Sequence, residues 1–352
     1  MNNFLSVLII GILTATTIGG YALFFDRAIP KDENKELNAN SVLSDSESVN
    51  IFFVGDLMLD RYNRVLLDRY GVGHFTENIR SIFDNSDLTV ANLEGSITNE
   101  DTVSLNTKNN ERNHFQFTFD KKNTIEFLGQ NKIGLVSLGN NHVLNFGEDG
   151  LNETMRVLSD NNIEYFGNPV DSDNAHISRN VNGLDIAFVN YNAFAGPNID
   201  EVSDIIKKLS KKYFVSVYAH WGPEYELSQS ERQNENAHKF IDSGADLIIG
   251  THPHVIQPVE IYKGKVIFYS LGNFVFDQYF SEDVKNELAV NVSVSQKGLN
   301  FELIPLNVSS DGKLDFGNEI WRNDVLKRIS ENSDVGEEIK DNIKKGMFYI
   351  ER

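Results

Sequence analysis

Beyond residue 48 the hydrophobic and polar positions follow two alternating rhythms. Short apolar runs at Ile51–Val54, Leu88–Ala91, Gly134–Leu138, Leu184–Tyr191, Phe214–Ala219, Ala245–Gly250 and Val266–Leu271 read as buried strands. Amphipathic segments around Val65–Tyr70, Asn123–Asn131, Gly150–Asn161, Val202–Lys212 and Ser230–Ser243 read as the helices between them. That alternation predicts an α/β domain. Past Asp277 the style changes. Leu288–Ser295 and Leu299–Val308 alternate apolar and polar residues on either side of Gln296–Gly298, which predicts a hairpin near a sheet edge. A charged helical tail, Arg322 to Lys345, ends the chain.

The N-terminal stretch obeys neither rhythm. Phe4 to Phe25 is an uncharged, mostly apolar run of membrane-spanning length, and an acidic, Asn/Ser-rich tract follows it. No small-x-small site stands after the run and there is no lipobox Cys, so an uncleaved anchor is the better reading than a signal peptide. Arg27 and Lys31 follow the run while no Lys or Arg precedes it, which opposes the usual orientation signal for an exported domain. The expected division is an anchor at 1–25, a flexible acidic linker at 26–48, the main domain at 49–310 and a charged helical extension at 311–352. The expected location is the cell membrane, with the globular part outside the cytoplasm.

Charge and composition narrow the chemistry. A formal net charge of −19 over 352 residues argues against nucleic acid or anionic lipid as a general partner. An anionic substrate must then be attracted locally, by a metal or a few placed arginines. With no cysteine, disulfides, thiolate metal sites and Cys nucleophiles are excluded.

Five strands are each followed at once by a polar cluster: Gly55-Asp56, Asn92-Leu93-Glu94-Gly95, Gly139-Asn140-Asn141-His142, His220-Trp221-Gly222, and the loop holding His252 and His254. In α/β sheets ligands bind outside the carboxyl ends of strands, so the clusters describe one site. Carboxylates, a carboxamide and imidazoles without thiolate suit Mn²⁺, Fe²⁺ or Zn²⁺ better than Ca²⁺. A bridging carboxylate would let two ions share the site, in the arrangement used against phosphoryl or acyl centres.

The motifs GDLMLDR, NLEGSIT, SLGNNHVLNFG, HWGPEY, GTHPHVIQP and SLGNFVFDQ, in this order, resemble the poly-γ-glutamate capsule-biosynthesis (CapA/PgsA-like) family, which is similar to calcineurin-like metallophosphoesterases. The resemblance covers about Val49 to Gln278. It implies a layered sheet/helix domain of metallophosphoesterase type, behind an N-terminal anchor. By position it implies Asp56 as a ligand of one metal, Glu94 as the bridge, Asn141, His220 and His252 on the second metal, and His254 returning to the first. His142 would be the acid that protonates the leaving group. Met58 stands where the phosphoesterases usually have a further His, so the first metal is short of a ligand. Poly-γ-glutamate or a related anionic polymer, and membrane subunits of a polymer synthase or exporter, are the implied partners.

Bland roles stay open for each residue. Asp56 can be a turn or helix cap, Glu94 a loop acid, and His220 a buried strand-end histidine. Asn140 and Asn141 are natural turn residues. Substrate contact is open for Arg61, Trp221, Glu224 and Asn273. Their rival roles are a surface salt bridge for Arg61, packing for Trp221, orientation of His220 for Glu224 and strand capping for Asn273. Three functions fit: a metal-dependent hydrolase or transferase, a non-catalytic subunit that guides polymer, and a fold in which metal is only structural.

Overall fold

A computed structural model describes residues 48–105 and 112–352. The expected anchor and all but the last residue of the expected linker lie outside these residues. Among the described residues no helix is long and apolar enough to cross a membrane.

Alternation along the strands builds the layers. In Val49–Leu57, Val49, Ile51 and Phe53 face one hydrophobic cluster while Phe52 and Val54 face another. The same two-sided burial marks Leu184–Asn192, Phe214–His220 and Leu247–Thr251, whose Phe188, Tyr218 and Ile249 meet the first sheet's inner face. Strands buried on both faces read as nearly continuous apolar runs, which is why they stood out in the sequence.

One sheet runs Leu314–Asp315, Gly298–Val308, Asn286–Val294, Val49–Leu57, Leu88–Leu93, Ile133–Ser137, Glu164–Phe166, with Asn273–Val275 and Met347–Glu351 paired off that path. The other runs Val259–Tyr262, Lys265–Phe268, Leu247–Thr251, Phe214–His220, Leu184–Asn192, His176–Val181. Helices Arg61–Tyr70, Lys121–Gln130 and Gly147–Asp160 cover the outer face of the first sheet, and Ile199–Leu209 and Glu231–Asp242 that of the second. This helix–sheet–sheet–helix order fits a calcineurin-like α/β fold. Within each sheet the strands that carry the polar clusters are parallel, so their carboxyl ends share an edge.

One expectation is met and one changes. The hairpin predicted near an edge is Asn286–Val294 with Gly298–Val308, and Gly298–Val308 lies one strand in from the edge, covered by Leu314–Asp315 and Met347–Glu351. The segment expected to be a helical tail contains helices Glu319–Asn332 and Glu337–Ile343, but it ends in strand Met347–Glu351, which pairs with Gly298–Val308.

Glu287 is the costly residue of this architecture. It is 1% exposed, and neither carboxyl oxygen has a hydrogen-bond partner. Burial pushes its pKa well above the ordinary glutamate value of 4.5. The folded chain therefore keeps a proton that the unfolded chain releases above 4.5, and stability falls as pH rises through that window, by about 1.4 kcal/mol per pH unit. Glu287→Gln is expected to be more stable than wild type at neutral pH, with the difference closing below the ordinary glutamate pKa. Urea unfolding across pH measures it, and a constant difference would refute the account.

Candidate metal centre

Strand register brings the first acids together. Asp56 pairs with Asn92, and Asn92 with Ser137, at the carboxyl ends of three adjacent strands. Asn92 lies two residues before Glu94, yet its side chain joins the same site: Nδ2 donates to Asp56 Oδ1 at 2.7 Å and approaches Glu94 Oε2 at 3.3 Å. Asn140 Nδ2 in turn donates to Asn92 Oδ1 at 3.1 Å and to the Leu93 carbonyl at 2.8 Å. Both acids are fully buried.

The second sheet delivers the imidazoles. His220 ends its strand beside Thr251, whose Oγ1 lies 3.0 Å from His220 Nδ1. That leaves Nε2 facing Asn141 Oδ1 at 3.0 Å and His252 Nδ1 at 3.1 Å. Two ring nitrogens and a carboxamide oxygen so converge on one point. The His252 N–H donates to Asp56 Oδ2 at 3.0 Å, tying the GTHPH turn to the first sheet. His254 Nδ1 meets Asn273 Oδ1 at 2.8 Å, and its Nε2 lies 3.9 Å from Glu94 Oε1. Such close approach of backbones needs glycine. A Cβ on Gly55 would sit 2.0 Å from the Gly272 oxygen, and one on Gly250 2.0 Å from the Tyr269 oxygen. His252 and His254 both take positive φ, 91° and 58°, backbone strain of the kind that clusters at functional sites.

Electrostatics separates the two acids. Burial raises Asp56, but hydrogen bonding and charge from His254, charge from His220 and the Asn92 amide outweigh it and bring its pKa to about 2. Burial and then the neighbouring Asp56 push Glu94 well above the carboxylate range. Burial also depresses the histidines: His142 to about 4, His252 to about 3, and His220 well below its ordinary value. At neutral pH these rings are uncharged, with lone pairs free for a cation.

Donor atoms of Asp56, Glu94 and His254 lie within 4.8 Å of one another, as do those of Glu94, His220 and His252, and of Glu224, His252 and His254. Glu94 belongs to two of these groups, and its Oε1 is a buried atom with no hydrogen-bond partner. A buried, orphaned carboxyl oxygen facing imidazole nitrogens is the arrangement a divalent cation would satisfy. The residues fit a divalent ion.

Other expected site residues fall in different places. His142 stands at the rim. Its Nδ1 meets two carbonyl oxygens, of Phe115 at 3.0 Å and Asn145 at 3.1 Å, so the proton sits there and Nε2 faces Glu94 Oε1 at 3.8 Å. Trp221 takes the packing role: it is 1% exposed, donates Nε1 to the Tyr269 carbonyl at 2.9 Å and packs on Tyr191 and Tyr269. Asn273 is likewise buried and engaged with His254, so it orients that ring instead of meeting a ligand. Arg61 is close but committed. It pairs with Asp277 and lies over Phe117 and Phe276 at 5.0 and 5.4 Å. Glu224 is exposed beside His252 and His254. Met58 is buried, with Sδ turned to the Asp60 N–H at 3.1 Å. Asn92, which the sequence marks only as part of its polar cluster, and Thr251, which it does not mark, are orienting residues of the centre. The signal for Asn92 was its spacing, since residues two apart on a strand share a face.

The sequence model for "Bacterial capsule synthesis protein PGA_cap" matches residues 50–278, the span that holds every residue of this centre. The "Capsule biosynthesis protein CapA" of Bacillus anthracis is 28% identical over 315 residues, 83% of this chain and 75% of its own. The "PGA biosynthesis protein CapA" of Bacillus subtilis (strain 168) is 30% identical over 276 residues, 73% of this chain and 70% of its own. A "Probable polyglutamine synthesis accessory protein" of Mycobacterium tuberculosis is 26% identical over 236 residues, 56% of this chain and 62% of its own.

Asn92 is the hub that lets two acids share the pocket. Asn92→Ala is expected to cost roughly 1–3 kcal/mol of stability through the unpaired groups it leaves. It should also weaken divalent-ion binding roughly 10–100-fold. Chemical unfolding and calorimetric Mn²⁺ titration read the two effects, and an unchanged ion affinity would remove Asn92 from the centre.

Proposed function

The chain belongs to the bacterial capsule synthesis family PGA_cap, and on that premise we propose that it serves synthesis or export of a poly-γ-glutamate-type capsule polymer through a divalent-metal centre of hydrolytic type. The observation that carries the metal centre is the partnerless, buried Glu94 Oε1 between two groups of ligand-type donors. Asp56, Glu94 and His254 would hold one ion, and Glu94, His220 and His252 with Asn141 the other. Mn²⁺, Fe²⁺ or Zn²⁺ suits these donors, and when bound supplies Lewis acidity toward an amide carbonyl or a phosphoryl group.

The chain's own residues do the rest. Asn92, Thr251 and Asn273 hold Asp56, His220 and His254 in orientation. His142 keeps its Nδ1 proton on carbonyl oxygens, so its bare Nε2 takes a proton before it can give one to a leaving group. That makes it a proton carrier, not a resident acid. Phe194 stands exposed beside His252, Tyr225 beside His254 and Phe280 beside Tyr225. Residues 1–25 are proposed as a membrane anchor and 26–48 as its linker, which would hold the domain beside membrane subunits of a polymer synthase or exporter.

The test uses the full chain in detergent. Elemental analysis is expected to find near-stoichiometric Mn, Fe or Zn in wild type and to lose it in His252→Ala/His254→Ala. His142→Ala should keep its metal and lose roughly 10²–10⁴ of any cleavage of poly-γ-glutamate or of a phosphodiester. Metal without cleavage of either substrate selects a polymer-binding subunit. No specific metal in wild type discards the centre.

A further inference from the structure

The His254 side of the centre is short of donors. Asp56, Glu94 and His254 make one group there, and the position that would be expected to add an imidazole holds Met58, whose sulfur is turned away to the Asp60 N–H. A carboxylate comes from another direction. Glu224, on the loop after strand Phe214–His220, has an oxygen within 4.8 Å of donor nitrogens on both His252 and His254.

The loop is built to hold that carboxylate in place. The next residue, Tyr225, donates its N–H to the Pro253 carbonyl at 2.8 Å, so the loop is pinned to the turn between the two histidines. Tyr225 takes φ 66°, a strained conformation for a residue with a side chain. Its hydroxyl accepts from Gln278 Nε2 at 3.0 Å, and its ring lies 6.0 Å from that of His254. Backbone and side chain of Tyr225 therefore fix the residue before it over the imidazoles.

Building on the metal-centre reading above, we infer that Glu224 is a further metal ligand, a solvent-side carboxylate that supplies the donor missing at Met58. With Asp56 and Glu94 ionised, a third carboxylate brings the balance of two divalent ions from +2 to +1.

The full chain, stripped of metal, is titrated with Mn²⁺ by calorimetry, with bound Mn counted after dialysis. Wild type is compared with Glu224→Gln, Glu224→Asp and Glu224→Gln/Met58→His, and circular dichroism establishes folding of each. Glu224→Gln is expected to weaken one Mn²⁺ site roughly 10–100-fold and leave the other. Glu224→Asp should restore part of that loss, and Met58→His should restore it from the opposite side. Equal stoichiometry and affinity in wild type and Glu224→Gln would overturn the assignment while leaving the centre intact. No Mn²⁺ bound by wild type would overturn both.

Discussion

Two carboxyl groups sealed from water side by side are the constraint around which this molecule is organised. Asp56 and Glu94 are both fully buried, and the pocket by itself accommodates one negative charge: Asp56 is held at about 2 while Glu94 is pushed well above its usual range. Burying acids is expensive unless donors or cations surround them. The donors around them include the Asn92 amide, itself held by Asn140, the His252 N–H and the His254 ring beside Asp56. These bonds join the first sheet's strand ends to the loop of the second. The polar centre is thus a seam between the two layers as well as a site.

The two roles explain why so much geometry is given up there. Gly55 and Gly250 bring strands into backbone contact that any side chain would block. His252 and His254 take left-handed conformations to turn both rings inward from one short loop. Asn273 and Thr251 spend buried hydrogen bonds on ring orientation. None of this improves the hydrophobic layers on either side. Those layers supply the rigidity that keeps the strained loop from relaxing, since closely packed interiors deform little.

What was legible in the sequence was local. Strand runs could be seen because both faces of the strands are buried, and the site because each donor follows its strand within a residue or two. What escaped depends on partners far away in the chain. Nothing near Arg61 announces Asp277, and nothing near Trp221 announces the Tyr269 carbonyl that occupies its indole N–H. The hairpin's place near an edge could be read from its alternation, but the C-terminal strand Met347–Glu351 that covers Gly298–Val308 could not. Asn92 is the instructive miss, since a strand spacing of two already pointed to it.

The charge of the chain sets a problem that the structure answers in an unexpected way. A net charge of −19 repels an anionic polymer at long range, although roughly 8 Å of saline screens most of it. The cation expected to compensate, Arg61, is neutralised by Asp277 and enclosed by Phe117 and Phe276. Beside the exposed Glu224 stand exposed rings, Phe194 next to His252, Tyr225 next to His254 and Phe280 against Tyr225. Under the proposed function these rings are available to a polymer. They can receive the flat amides and methylenes of a chain while its carboxylates stay in water, a contact that high salt does not weaken. Under the proposed function, attraction of charge then falls to the metal centre, and grip to the rings. A protein built this way would hold its polymer by the backbone and engage anions only at the point of chemistry.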